Sequence, residues 1–481
     1  MPDTLRILFL AAEAEPFVKV GGLGDVGGSL PRALMELPPR VTGGLRLDVR
    51  LVLPLHNAIR NDAAILRPVA EFAVHRHGSS LQARVFERSL DGAVVYFIGG
   101  EPVNATQSVY SANLAQDREK YAFFSLAALE LTRCLGWQPH ILHANDWHTA
   151  LAVYAVHSRR ADPFFAPVRT VLALHNLPYM GGDAMDILSA YGLMPVNDVV
   201  LPKWARTQPL PLGLWAADAI VPVSPAYANE IMTPEFGCGL EGFLRGRAAT
   251  ITGILNGLDT VRWDPETDDA LAVNFSADRL EARAANKTAL QSELILPIEP
   301  EMPVLAMVSR FDMQKGVDLA IEALRLVADL PWQAAFLGTG GILLEDAARQ
   351  LDAAFPGRVR AAIRYDARLA CQIYAGADIL LMPSRYEPCG LSQMIAMRYG
   401  CVPVVRAVGG LKDTVKDGHT GFLFVAPTSE ALAAALRRTL ATFADGEKWQ
   451  QLQRNAMLQD FSWQRFARQY VALYQTLVPF S

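Results

Sequence analysis

Lys19-Val20-Gly21-Gly22-Leu23-Gly24-Asp25-Val26 is the stretch on which the reading of this chain turns. Just before it, Ile7-Leu8-Phe9-Leu10-Ala11-Ala12 is an apolar run short enough for a buried strand. Just after it, residues 25–37 read as a helix. A glycine-rich turn therefore joins a strand to a helix N-terminus, as in open α/β sheets. Glycines let backbone N–H groups approach an anion closely, and the helix dipole favours negative charge there. Lys19 adds a mobile positive charge on the same turn. The turn reads either as a seat for a phosphate-bearing ligand or as a tight strand-to-helix turn with a surface lysine. Its spacing is neither the dinucleotide fingerprint nor the Walker pattern.

Working outward, strand-like and helix-like segments alternate along most of the chain, which predicts parallel sheets covered by helices. Asp48-Val49-Arg50-Leu51-Val52-Leu53-Pro54 and Ala93-Val94-Val95-Tyr96-Phe97-Ile98 read as strands, and residues 121–134 as a helix. Ile141-Leu142-His143-Ala144-Asn145-Asp146-Trp147-His148 reads as a short strand ending in polar groups. Thr170-Val171-Leu172-Ala173-Leu174-His175-Asn176 and Ala219-Ile220-Val221-Pro222-Val223-Ser224 repeat the pattern. Residues 252–259 look like a domain junction, and a new series begins at Val304-Leu305-Ala306-Met307-Val308-Ser309. Gln333-Ala334-Ala335-Phe336-Leu337-Gly338, Ile379-Leu380-Leu381-Met382-Pro383 and Val402-Pro403-Val404-Val405 continue it. Residues 462–477 carry helical apolar spacing at Phe466, Tyr470, Leu473 and Leu477. The expected division is 1–252 and 253–461, two nucleotide-binding-like halves facing a deep cleft.

A chain of 481 residues is too long for one ordinary core, which agrees with two domains. With 51% hydrophobic residues, 19% charged residues and a net charge of −5, it has a soluble globular composition that gives no basis for a nucleic-acid partner. The five cysteines show no paired metal spacing and read as reduced thiols in a cytoplasmic protein. Met1-Pro2-Asp3-Thr4 runs into the first strand, so no targeting peptide is expected. No apolar run reaches membrane-spanning length, so no membrane partner is expected either.

Two loops of the second half carry groups suited to chemistry. Arg310 and Lys315, in Ser309-Arg310-Phe311-Asp312-Met313-Gln314-Lys315-Gly316, are either a pair that neutralises a diphosphate leaving group or a solvated pair on a loop. No Asp-x-Asp occurs in the chain, so the simplest metal signature of nucleotide-sugar enzymes is missing and no metal cofactor is expected. In Ser384-Arg385-Tyr386-Glu387-Pro388-Cys389-Gly390-Leu391-Ser392, a strand leads into a helix. Gly390, Leu391 and Ser392 can present N–H groups to a phosphate. Glu387 stands where a carboxylate holds sugar hydroxyls or caps the helix. Ala407-Val408-Gly409-Gly410-Leu411 is a further turn that can line the same side. His175 and Asp146 stand at strand ends, where each reads as a ligand contact or as a structural group.

Taken together, these motifs resemble those of the bacterial glycogen synthases and plant starch synthases (glycosyltransferase family 5). The resemblance covers nearly the whole chain. It rests on the 19–26 stretch, His143-Ala144-Asn145-Asp146-Trp147-His148, His175-Asn176-Leu177, Thr233-Pro234-Glu235-Phe236-Gly237 and Leu255-Asn256-Gly257. It continues through Ser309-Arg310, Gln314-Lys315-Gly316, Glu387-Pro388-Cys389-Gly390-Leu391 and Gly409-Gly410-Leu411. What it implies is an α/β protein of the GT-B type, with two Rossmann-like doubly wound domains and a C-terminal helix packed back on the first. It also implies a retaining transfer of glucose from ADP-glucose to the 4-hydroxyl at the non-reducing end of an α-1,4-glucan such as glycogen.

By the same resemblance, Lys19 and the amides near Gly22 bind the donor, and Arg310 and Lys315 stabilise the departing nucleoside diphosphate. Glu387 sits at the transferred glucose, His175 at the reaction centre and Asp146 in the sugar pocket. Tyr365 stacks on the adenine, and Asn256 lines the inter-domain cleft. Domain closure is expected to exclude water from these groups. The chain departs from the family at Ala12, where serine is usual, and at Pro209-Leu210-Pro211-Leu212-Gly213-Leu214-Trp215, where altered acceptor contacts are expected. Ile395 stands eight residues after Glu387, where many related retaining transferases carry a second glutamate, a gap that the synthase branch shares. The rival readings are a retaining glucosyltransferase with a small acceptor such as glucose 1-phosphate, and a non-catalytic glucan- or nucleotide-binding module.

Overall fold

The computed structural model describes residues 4–60, 66–90 and 92–478. Residues 1–3, which figured in the expectation about a targeting peptide, lie outside them. Among the described residues, no helix is long and apolar enough to cross a membrane. The chain divides into two compact units, Met1–Gly257 with Trp463–Ser481, and Leu258–Ser462.

Among the described residues, the first unit is built on eight strands: β1 (Thr4–Leu10), β2 (Arg46–Pro54), β3 (Arg67–Arg76), β4 (Ser79–Leu90), β5 (Ala93–Gly99), β6 (Ile141–Asn145), β7 (Arg169–Leu174) and β8 (Ala219–Pro222). Their order is β3-β4-β5-β2-β1-β6-β7-β8. β1 pairs in parallel with β2 on one side and β6 on the other. The strand order therefore reverses between β1 and β6, and open α/β sheets bind ligands beyond the strand ends at such a point. Leu5, Ile7, Phe9 and Leu10 are fully buried, as a central parallel strand covered on both faces requires.

The β3–β4 hairpin was not expected. Both its strands run antiparallel at the sheet edge, with half-exposed residues and Pro68 in place of a continuous apolar run. The strand expected over 141–148 ends at Asn145, because Asp146 turns the chain at φ +52° and opens the helix Asp146–Ser158. The helix expected over 121–134 begins at Leu114, where the Asn113 side chain accepts from the amides of Ala115 and Gln116. Residues 209–216 form a buried helix, with Leu210, Leu212 and Leu214 fully enclosed. Trp215 is half-buried and donates from Nε1 to Asp198 at 3.1 Å. That stretch packs inside the unit.

The second unit carries β9 (Val304–Val308), β10 (Gln333–Gly338), β11 (Val359–Ile363), β12 (Ile379–Met382), β13 (Val402–Arg406) and β14 (Phe422–Phe424). Their order, β11-β10-β9-β12-β13-β14, is the doubly wound pattern, and every pairing is parallel. Here the reversal falls between β9 and β12. Leu305, Met307, Phe311, Trp332, Phe336 and Leu381 form part of the core beneath it.

The unit boundary lies beyond the expected residue 252. Thr252 and Ile254 donate to the carbonyls of Ile220 and Pro222 at 3.0 Å each, which ties this stretch to β8 in the first unit. The helix Trp463–Leu477 also belongs to the first unit. The Tyr474 hydroxyl lies 2.6 Å from His143 Nδ1 on β6, and the Gln475 amide donates to the Thr42 carbonyl at 2.9 Å.

Candidate active site

The segment after β1 runs through the glycine-rich turn into the helix Gly22–Glu36. The helix lies so close to this segment that a Cβ on Gly27 or Gly28 stands 2.4 or 2.2 Å from the carbonyl oxygens of Glu13 and Glu15. The two glycines are thus a condition of the approach. The amides of the turn meet an internal anion. Glu13 Oε2 accepts from the Val20 and Gly21 amides, the latter at 3.0 Å, and Oε1 accepts from the Tyr110 hydroxyl at 2.7 Å. Burial pushes the Glu13 carboxyl up, opposed by these three donors. The Lys19 ammonium, partly exposed, lies 2.6 Å from Asp25 and 3.4 Å from Glu15. Gly22, the first residue of the helix, is exposed.

At the ends of β6 and β7, Asp146 and His175 come together. Asp146 Oδ1 accepts from the amides of His175 at 2.7 Å and Asn176 at 3.2 Å. Burial pushes the Asp146 carboxyl up to about 7, against the pull of both amides. Asn145 donates from Nδ2 to the Leu10 carbonyl at 2.8 Å, which leaves its Oδ1 to face His175 Nε2 at 2.9 Å. His175 therefore donates from Nε2 and keeps a lone pair on Nδ1. Burial pushes its pKa down to about 4, so the ring is neutral at pH 7. Asn256, buried near the end of this unit's first segment, has an Oδ1 without a hydrogen-bond donor.

In the second unit, Lys315 follows β9 and Glu387 follows β12, the two strands between which the order reverses. Lys315 Nζ lies 2.6 Å from Glu387 Oε2, which also accepts from Ser384 Oγ at 3.1 Å. The side chain of Glu387 is 6% exposed and that of Lys315 19%. The two loops are stitched together by the Arg385 amide, which donates to the Gln314 carbonyl at 2.7 Å. The Arg385 guanidinium grips Asp318 through two bonds of 2.8 and 2.6 Å. Beneath them, the Gly410 amide donates to the Glu387 carbonyl at 3.1 Å. A Cβ on Gly409 stands 1.9 Å from that carbonyl oxygen, so the 407–411 turn seats the Glu387 loop.

Not every expected residue joins this cluster. Arg310 is exposed and pairs with Asp312 at 3.3 Å rather than joining Lys315. Tyr365 is 86% exposed, so its ring is open to stacking. Gly390, at φ +74°, and Leu391 and Ser392 lie on the Glu387 loop where the helix Ser392–Arg398 begins. Glu13, Tyr110, Asn145 and Ser384 were not singled out from the sequence. An acidic residue directly after the apolar run Ile7-Leu8-Phe9-Leu10-Ala11-Ala12 was the signal available for Glu13. Among the described residues, no group of three or more His, Cys, Asp or Glu stands placed to hold a metal ion.

Residues 6–246 match the family model described as the starch synthase catalytic domain, and residues 302–442 that of glycosyl transferases group 1. A glycogen synthase of Anaeromyxobacter dehalogenans is 42% identical, covering 99% of this chain and 100% of the relative. A glycogen synthase of Aromatoleum aromaticum is 41% identical, covering 98% and 97%. The catalytic domain of starch synthase IV from Arabidopsis thaliana, solved bound to ADP and acarbose, superposes with a TM-score of 0.88. It is 32% identical and covers 99% of this chain and 100% of that one. The two α/β units are thus those of the GT-B fold.

Proposed function

The chain belongs to the starch and glycogen synthase family of glycosyltransferases, and from that premise we propose that it transfers glucose from ADP-glucose to the non-reducing 4-hydroxyl of an α-1,4-glucan, with retention. The observation that carries the reading is the Lys315–Glu387 pair at the strand reversal of the second unit. It sets a cation beside a carboxylate where nucleotides bind in doubly wound sheets.

In this reading, the bond between the sugar C1 and the diphosphate oxygen breaks, and negative charge grows on the leaving ADP. Lys315, joined by Arg310 swung from Asp312, meets that charge without a metal ion. Glu387 holds the transferred glucose, and the Gly390 to Ser392 backbone faces the phosphates. The acceptor 4-hydroxyl attacks on the face the diphosphate leaves, and its proton passes to the leaving oxygen. The buried Ile395 offers no second carboxylate for a covalent intermediate, which favours this front-side course. In the first unit, neutral His175 offers the Nδ1 lone pair to a sugar hydroxyl, and Asp146 fixes its backbone. Lys19 assists the donor, Tyr365 stacks on the adenine, and Asn256 offers its spare oxygen to the substrate. The enzyme works in the cytoplasm, where a nucleotide-sugar pool is at hand.

The test is an initial-rate assay with radiolabelled ADP-glucose and UDP-glucose, each offered to glycogen and to glucose 1-phosphate. The reading predicts label in glycogen from ADP-glucose. Label in a small phosphorylated product supports the small-acceptor rival, and bound donor without transfer supports a binding module.

A further inference from the structure

We propose that Glu13 is a positioning residue of the glucosyl transfer, a carboxylate that clamps the turn carrying Lys19 to the segment carrying Tyr110. The inference rests on the transfer reading and extends it to a residue outside the recognised motifs. Glu13 is 1% exposed. Its two oxygens divide the work: Oε2 takes the amides of Val20 and Gly21, and Oε1 takes the Tyr110 hydroxyl at 2.7 Å. Val20 and Gly21 lie between β1 and the helix Gly22–Glu36, outside any regular element whose own bonds would engage their amides.

Lys19 is set from both sides by the same arrangement. A Cβ on Gly24 stands 3.0 Å from Glu13 Oε2 and 2.9 Å from Lys19 Cγ, so the carboxylate and the lysine stem pass over one open patch of the helix. The lysine head then reaches Asp25 at 2.6 Å. Removing the carboxylate frees the backbone immediately after Lys19 and opens a void beside its stem. Glu13 therefore acts on the reaction through Lys19, not by touching substrate.

A merely structural role lowers stability and leaves the surviving enzyme's donor kinetics alone. A positioning role makes Glu13 and Lys19 interdependent. The experiment is a double-mutant cycle on the full chain with Glu13→Ala, Lys19→Ala and the pair. ADP-glucose is varied at saturating glycogen, and a thermal melt is recorded for each variant. Glu13→Ala is expected to lower kcat/KM for ADP-glucose by about 30-fold, within the roughly 10²-fold that a 1 Å misplacement of a positioned group costs. In the Lys19→Ala background the same change is expected to cost no more than about 3-fold. Glu13→Gln keeps one oxygen for the two amides and turns its NH2 toward the tyrosine oxygen, so it recovers most of the loss.

A Glu13→Ala enzyme within about 3-fold of wild type, or losses that multiply in the double variant, would overturn the proposal. If Glu13→Ala does not fold, Glu13→Asp replaces it in the cycle, since its shorter arm withdraws the carboxylate from the amides while keeping the charge. If the wild-type enzyme transfers no glucose, the transfer reading fails. The same cycle read by calorimetric binding of ADP then still decides whether Glu13 and Lys19 act as one unit.

Discussion

Replacing Lys315 by alanine removes one partner of a pair held at 2.6 Å, and leaves a carboxylate only 6% exposed with Ser384 as its remaining side-chain donor. Breaking a fully buried pair costs roughly 3–5 kcal/mol. The Lys315 side chain is 19% exposed, so water reaches the vacated place and the cost falls to about 2–3 kcal/mol. For a unit the size of Leu258–Ser462, this corresponds to a fall of about 4–12 °C in the melting of that unit. The catalytic loss is separate. A preplaced cation facing the charge that develops on the leaving diphosphate is worth about 10²- to 10³-fold in turnover. The double variant Lys315→Met/Glu387→Gln separates the two effects, because it leaves no buried charge unpaired. It should melt within about 2 °C of the wild type and still be at least about 10²-fold slower. Calorimetric melts and initial rates on the three proteins read both quantities. Turnover of Lys315→Ala within about 5-fold of wild type would refute the leaving-group role. A fall in melting temperature that the double variant does not recover would refute the electrostatic account of the pair.

Asp146 gives a pH-dependent test. Its folded pKa, about 7, lies above the unfolded value, so its contribution to stability is full below the unfolded value and is lost as pH rises through 7. Asp146→Asn keeps an amide oxygen for both N–H donors and removes that loss. Its stability advantage over wild type should grow by about 2–3 kcal/mol from pH 5 to pH 8, read by urea melts; an unchanged difference would remove the raised pKa. Gly409→Ala puts a Cβ 1.9 Å from the Glu387 carbonyl oxygen, so it should displace the Glu387 loop and cut activity at least about 10-fold; a fully active variant would free Glu387 from that seat. Tyr474→Phe takes the hydroxyl from His143, a buried ring whose pKa burial holds down at about 3, and should cost about 1–2 kcal/mol in urea melts with donor kinetics unchanged.

The central strands were legible because both faces of each are covered, which writes them as unbroken apolar runs such as Ile7 to Leu10. The β3–β4 hairpin was not, because an edge pair with one solvated side lacks that run. Spacing alone put Asp146 in a strand; its left-handed backbone is held by bonds from His175 and Asn176, 29 and 30 residues away. The glycine-rich turn was legible as a turn, but its partner was not. From sequence it reads as a seat for an anion or as a plain tight turn, and the structure sets the Glu13 side chain of the preceding segment at two of its amides. Lys315 and Glu387 were each marked by their motif, while their 2.6 Å pairing depends on β9 and β12 being neighbours, a matter of topology that no local pattern states.

The most direct test of the account is the position of newly added glucose. The enzyme is incubated with radiolabelled ADP-glucose and a linear α-1,4-glucan, and the product is digested with an exo-acting enzyme that releases maltose from non-reducing ends. The account predicts that nearly all label leaves as maltose, which requires an α-1,4 bond made with retention at the chain end. Label that stays in the resistant polymer, or that never enters the glucan, would contradict it.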